Sequence, residues 1–131
     1  MDVFAELKRR VARHPALRVD AREDAIEVFP EGDSTFPVAL LREGNRFLVH
    51  FAGWYERFDS AREALDCVSY GLFGACRLRV WYRGETAHRW ALEEERQGDW
   101  REHSRQSLRW FPFWKPVHVR VLENRLRPGD S

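Results

Sequence analysis

The segment from Arg77 to Arg89 holds the residues whose types best suit anion binding. One tryptophan and four arginines, which with Glu85 carry a net charge of +3, form this set: Arg77, Arg79, Trp81, Arg83 and Arg89. Guanidinium groups bind phosphates through parallel N–H donors, and an indole ring can stack on a base. The alternative is a solvated sheet face, with a Trp81–Arg89 cation–π pair and a weak Arg77–Glu93 ion pair. We favour that structural interpretation, because exposed charged residues most often only cover the surface.

A second group of residues, within positions 110–115, is suited to protein contacts. Its rings are Trp110, Phe111, Phe113 and Trp114. Pro112 and Pro116 bracket Phe113-Trp114-Lys115, and a stretch this short with two prolines cannot direct all four rings inward. Tryptophan is over-represented at interface hot spots, so rings that stay outside would form an interaction anchor. The alternative is a loop that folds back and closes one end of the core.

Residue types that carry catalysis or bind metals show no recognisable spacing. The five histidines form no HxH, HExxH or Cys/His pattern, and a lone strand histidine such as His50 or His118 is more often structural. Cys67 and Cys76 form no CxxC and are interpreted as small buried hydrophobes. The acidic stretch at 93–103 is interpreted as a solvated turn region. We therefore predict no catalytic residue, no metal site and no cofactor.

Composition excludes several classes of protein. The chain has 131 residues, of which 44% are hydrophobic and 14% aromatic, enough for a core within one domain. A net charge of +1 gives no bulk attraction to nucleic acid or to an anionic membrane. No apolar run approaches the length of a membrane span, and the first 13 residues lack a signal peptide's apolar core. We expect a cytoplasmic protein, with one domain over residues 1–131 whose last seven residues, 125–131, are frayed.

Two helices are predicted. The first runs from Asp2 to His14, because apolar residues recur at helical spacing and Pro15 ends the element. Ser60-Ala61-Arg62-Glu63 has the form of a capping box and begins the second helix. Gly71 and Gly74 are its candidate stops.

The first predicted hairpin follows a strand at Ala25–Phe29. Its strands, Phe36–Arg42 and Arg46–Phe51, flank the turn Gly44-Asn45. A two-residue loop pairs Leu40 with Val49 and gathers the large apolar side chains on one face. The other face is half apolar, so we expect that something covers part of it.

The second predicted hairpin joins Cys76–Arg83 to Ala87–Glu94, and its register depends on the loop. A two-residue loop, Gly84-Glu85, would split the apolar side chains between the two faces. A three-residue loop pairs Val80 with Trp90 and keeps them together, so we choose that register. Further strands are predicted around Trp100, at 108–111 and at His118–Glu123.

The order of aromatic residues and glycines resembles a family of uncharacterised small bacterial domains. The resemblance covers residues 36–126 and rests on these positions: Phe51, Gly53-Trp54, Phe58, Ala64, Gly71-Leu72, Arg77-Leu78, Arg83-Gly84, Trp90, Trp100, Phe113-Trp114 and Leu122-Glu123-Asn124. It implies a bacterial domain without a known activity and transfers no site residue.

The sequence thus predicts an α+β fold, ordered α-β-β-β-α-β-β-(β)-β, in which both helices cover one face of an antiparallel sheet. The best-supported function is a non-enzymatic module that binds a protein partner or a second copy through exposed aromatics and a sheet edge. The first alternative is anion or nucleic-acid binding by the arginine–tryptophan face. The second is a small enzyme whose residues meet only in space. A membrane partner is not expected.

Overall fold

The computed structural model describes residues 2–124 and contains two helices and two antiparallel sheets. The elements are α1 (Val3–Val11), β1 (Arg18–Ala21), β2 (Ala25–Phe29), β3 (Val38–Glu43), β4 (Arg46–Phe51), β5 (Trp54–Phe58), α2 (Ala61–Phe73), β6 (Cys76–Arg83), β7 (Thr86–Arg96), β8 (Asp99–Ser107) and β9 (Val117–Leu122). The α+β class and the antiparallel pairing are as predicted. The predicted frayed tail lies outside the described residues.

The strands form two sheets rather than the single sheet that was predicted. The first sheet has the order β1-β2-β3-β4-β5, and the second has the order β8-β7-β6-β9. One buried cluster contains residues of both helices and both sheets, among them Val3, Phe51, Leu65 and Leu78. The two sheets therefore share one core, with α2 in contact with β3, β4, β5 and β6.

Both helices begin at side chains that cap them. Asp2 accepts from the N–H groups of Phe4 and Ala5, and Ser60 accepts from that of Glu63, as the capping pattern predicted. The first helix ends at Val11, three residues before the predicted end. The residues after it form turn bonds instead, such as His14 N–H to the Val11 carbonyl (3.0 Å).

The first hairpin has the predicted register. Val38 pairs with Phe51 and Leu40 with Val49, around a Gly44 whose φ is +59°. The apolar face of the hairpin is fully buried. Two strands of this sheet, β1 and β5, were not predicted, because polar residues dominate Arg18–Ala21 and only the two ends of Trp54–Phe58 turn inward.

The second hairpin combines features of both registers considered. Its loop has two residues, since Arg83 pairs with Thr86. A β-bulge at His88 then shifts the ladder by one residue, so that Val80 pairs with Trp90 and Trp81 with Arg89. The predicted pairing is therefore correct, while the predicted three-residue loop is wrong. The strand after this hairpin is Asp99–Ser107, and residues 108–111 form no strand.

Candidate interaction surface

Exposed large hydrophobic side chains concentrate in one segment of the described chain. Seven of the nine lie between residues 108 and 121, and the other two are Val19 and Tyr55. The seven are Leu108, Trp110, Phe113, Trp114, Val117, Val119 and Val121. We call them the apolar surface. Single exposed hydrophobics are ordinary, but so many within one short segment are typical of an interaction site.

The aromatic part of the apolar surface consists of three rings held on a well-fixed loop. Trp110 and Phe113 are each 69% exposed and Trp114 is 64% exposed. The Trp114 ring contacts both others edge to face, at centroid distances of 6.3 Å and 5.4 Å. These three rings were predicted interaction residues, and the structure brings them together.

The fourth predicted aromatic residue, Phe111, points the other way and anchors the loop. Its ring stacks on the buried His88 at 4.3 Å, and the neighbouring Pro112 is buried. The carbonyl of His88 accepts from the N–H of Leu108 (2.8 Å), where the loop begins. The loop thus closes one end of the core with Phe111 while it presents the other rings, so each sequence-based interpretation describes part of it.

The far end of the loop is tied to the turn between β6 and β7. Gly84 N–H donates to the Pro116 carbonyl (3.0 Å), and Arg83 Nη1 donates to the Lys115 carbonyl (3.3 Å). A loop fixed at both ends loses little conformational entropy when a partner binds its exposed rings.

The valine part of the apolar surface is the outer face of β9, an edge strand. Val117, Val119 and Val121 are 50%, 43% and 38% exposed, whereas Leu122 is in the core opposite Leu78. On the other face His118 stacks on Tyr82, with ring planes within 4°. Sequence reasoning predicted this strand, but it did not assign the valines to the interaction surface.

The arginine–tryptophan face divides into two parts. Arg77 and Arg79 share the carboxylate of Glu93, at 2.7 Å and 3.4 Å, and Arg77 also lies over the Trp100 ring. Arg89 lies 5.6 Å from the centroid of Trp81, which confirms the predicted cation–π pair. At the Arg77 end the carboxylate of Glu93 therefore offsets part of the charge of the two arginines, which weakens the case for a phosphate or nucleic-acid site across the whole face.

The other part of that face adjoins the aromatic loop and keeps its positive charge. Neither Arg83 nor Arg89 is ion-paired with a carboxylate of residues 2–124, and the Nε atom of each is buried without a hydrogen-bond partner there. Burial lowers the pKa of the neighbouring His88, and these two arginines lower it further. The charges of Arg83 and Arg89 make this end of the surface attractive to anionic groups.

Two open depressions on the described surface have titratable side chains in their walls. One, of about 330 Å³, covers the half-apolar outer face of the first sheet and is lined by Glu27 and His50 among others. Burial lowers the pKa of His50, against the opposing effect of Glu27. The other, of about 380 Å³, is lined by Cys67, His103 and Glu94 among others. No group of three or more metal-ligating side chains forms within the described residues.

We predict that Cys67 reacts slowly with thiol reagents. Burial and, to a smaller extent, Glu56 raise the pKa of its thiol to about 12, the opposite of what a nucleophile requires. The fraction of Cys67 present as thiolate at pH 8 should be roughly a thousandfold lower than that of a free cysteine. Modification by Ellman's reagent should be slow in the native protein and fast in guanidinium. Rapid native modification of wild type that disappears in Cys67→Ser would contradict this prediction.

No family model matches the chain, and neither a curated protein nor a solved structure shows significant similarity to it. Within residues 2–124, no helix is long and apolar enough to cross a membrane. The functional assignment therefore depends on the surfaces of this molecule.

Proposed function

We propose that this chain is a non-enzymatic interaction module that binds a protein partner through its apolar surface. The observation that carries the proposal is the clustering of three strongly exposed rings, Trp110, Phe113 and Trp114, beside an exposed valine strand. Each exposed ring offers a large contact area with few rotatable bonds, which is the typical composition of a binding hot spot.

Packing within the molecule supports this proposal, since the three rings contribute little to the core. Their neighbours Phe111 and Pro112 supply the inward contacts that hold the loop. Exposing three large rings to water brings no folding stability, and it raises the risk of non-specific association. Recognition of a partner accounts for their placement.

The test is a triple substitution, Trp110→Ser with Phe113→Ser and Trp114→Ser. Wild-type protein immobilised on a column should retain a partner from an extract of its source cells in a stoichiometric amount. Retention by the triple variant should fall by at least about tenfold, because hot-spot rings each contribute a few kcal/mol. Its melting temperature should change little, since exposed substitutions cost about 0.5 kcal/mol or less each.

Tyr55→Ser provides the matched control. Tyr55 is 45% exposed on β5, outside the apolar surface, so its substitution should leave retention unchanged. Equal retention of the same proteins by wild type and the triple variant would contradict the proposed function, as would the absence of any stoichiometric partner.

A further inference from the structure

The backbone of β9 presents hydrogen-bonding groups at an edge of the second sheet that no other strand of residues 2–124 covers. Gly84 N–H donates to the Pro116 carbonyl, which therefore points toward β6. In an antiparallel ladder the backbone groups of successive residues point to alternate sides. Those of His118 and Arg120 thus point to β6, and those of Val117, Val119 and Val121 point away from it.

A hydrogen bond beyond the end of β9 supports this assignment. Glu123, two residues after Val121, donates its N–H on the outward side to the Ser34 carbonyl (2.8 Å). The edge is thus closed at Glu123, whereas among the described strands β9 has one neighbour, β6, over residues 117–122. Three consecutive outward positions give enough donors and acceptors for a short added strand.

The side chains of β9 differ in chemistry between its two faces. Its valines line the outer face, and His118 and Arg120 are exposed on the other. Arg120 donates to the Asp33 carbonyl (3.2 Å) but is ion-paired with no carboxylate of the described chain. A strand added at this edge would alternate its own side chains between the two faces. The matching sequence has apolar residues beside the valines and acidic residues beside Arg120.

We infer that the partner of this module contributes an extended segment of alternating apolar and acidic residues, which adds to the second sheet beside β9. This inference rests on the proposed function and specifies the mode of binding. The exposed rings of the loop lie at the start of the same edge, immediately before Val117 in the chain.

Two other occupants of this edge, a second copy of the chain and a lipid surface, match it less well than an acidic strand does. A second copy paired antiparallel through β9 about Val119 would place His118 of one chain opposite Arg120 of the other, so neither Arg120 would gain a carboxylate partner. A lipid surface would leave the outward N–H and C=O groups of the edge without partners, which is costly in an apolar medium. An acidic peptide strand provides carboxylates for Arg120 and hydrogen-bond partners for the outward N–H and C=O groups of β9.

The experiment uses fluorescence anisotropy with a short labelled peptide of alternating valine and glutamate. We expect binding that weakens as salt is raised, and no binding of a matched valine–lysine peptide. Val119→Pro should weaken binding by at least about tenfold, because proline removes an outward N–H while leaving the β6 ladder intact. Val119→Ala, which keeps the N–H, should bind more tightly than Val119→Pro.

Charge variants provide the second comparison. Arg120→Glu should weaken peptide binding by at least about tenfold, whereas Arg62→Glu on α2 should change it less than about twofold. Circular dichroism and melting curves must show that each variant is folded. Binding by Val119→Pro equal to that by Val119→Ala would overturn strand addition.

Other outcomes overturn the inferred occupant. These are equal binding of the lysine peptide, no binding of the acidic peptide, binding to phosphatidylserine vesicles alone, or a dimer in sedimentation that Val119→Pro dissociates. If the peptide fails but the cellular partner is lost with the aromatic triple variant, the strand inference is wrong and the proposed function stands. If that partner is retained by the triple variant, the proposed function itself fails.

Discussion

Replacement of Asn124 by alanine should destabilise the protein by about 3 kcal/mol, the largest effect that we expect of a single polar side chain here. Asn124 is 9% exposed, and its amide makes three hydrogen bonds. It accepts from the N–H of Phe36 (2.8 Å) and donates to the carbonyls of Phe36 (2.8 Å) and Gly71 (3.2 Å). Alanine would leave these three backbone groups buried without partners.

Chemical denaturation measures this effect. The free energy of unfolding from urea curves should fall by about 3 kcal/mol for Asn124→Ala, and by a similar amount for Asn124→Asp, which keeps the acceptor but places carboxylate charge against two carbonyls. Asn45→Ala, at the exposed turn of the first hairpin, should cost about 0.5 kcal/mol or less. A loss for Asn124→Ala no larger than for Asn45→Ala would show that its hydrogen bonds add no stability.

Gly53→Ala should also cost about 3 kcal/mol and lower the melting temperature by roughly 10 °C. The backbone at Gly53 has a φ of +108°, which L side chains rarely adopt. An added Cβ would lie 2.5 Å from the Trp90 indole, well inside van der Waals contact. Displacing that ring would also disturb the bond from Trp90 Nε1 to the Ala52 carbonyl (2.9 Å).

The Gly44→Ala variant separates the cost of the positive φ from the cost of the contact with Trp90. Gly44 also has a positive φ, +59°, but an added Cβ meets no atom within 4 Å. Its substitution should therefore show only the backbone penalty, about 1 kcal/mol. Differential scanning calorimetry of both variants measures the difference. Equal melting temperatures would mean that Trp90 moves aside without cost.

Local sequence patterns predicted the parts of this fold that depend on neighbouring residues. Ser60 and the turn at Gly44 act over a few positions, and the register of the first hairpin follows from its apolar alternation. The split into two sheets depends instead on packing between distant segments. The bond from Trp54 Nε1 to Ser104 Oγ (3.1 Å), for example, joins β5 to β8 across 50 positions.

The candidate surface was predicted only in part, because its details also depend on packing between distant segments. The short segment with its two prolines indicated that some rings must stay outside, but only packing against His88 decides that Phe111 turns inward. The orientation of β9 shows more clearly what local sequence patterns leave undecided. Alternation along β9 puts Val117, Val119 and Val121 on one face, and the pairing of Leu122 with Leu78 makes it the outer face. The acidic complement expected of a partner follows from Arg120, whose exposure no spacing could reveal.

The bonds of Asn124 also bear on the rate at which the molecule folds. Two of them join positions 88 residues apart along the chain and the third joins positions 53 apart, whereas both strands of each hairpin meet through a short turn. Closing a long loop must precede any stabilisation from such contacts, so pairing of this type slows folding. We expect the hairpins and α2 to form early and the docking of Asn124 to come late. Asn124→Ala should accordingly accelerate unfolding while leaving the refolding rate almost unchanged.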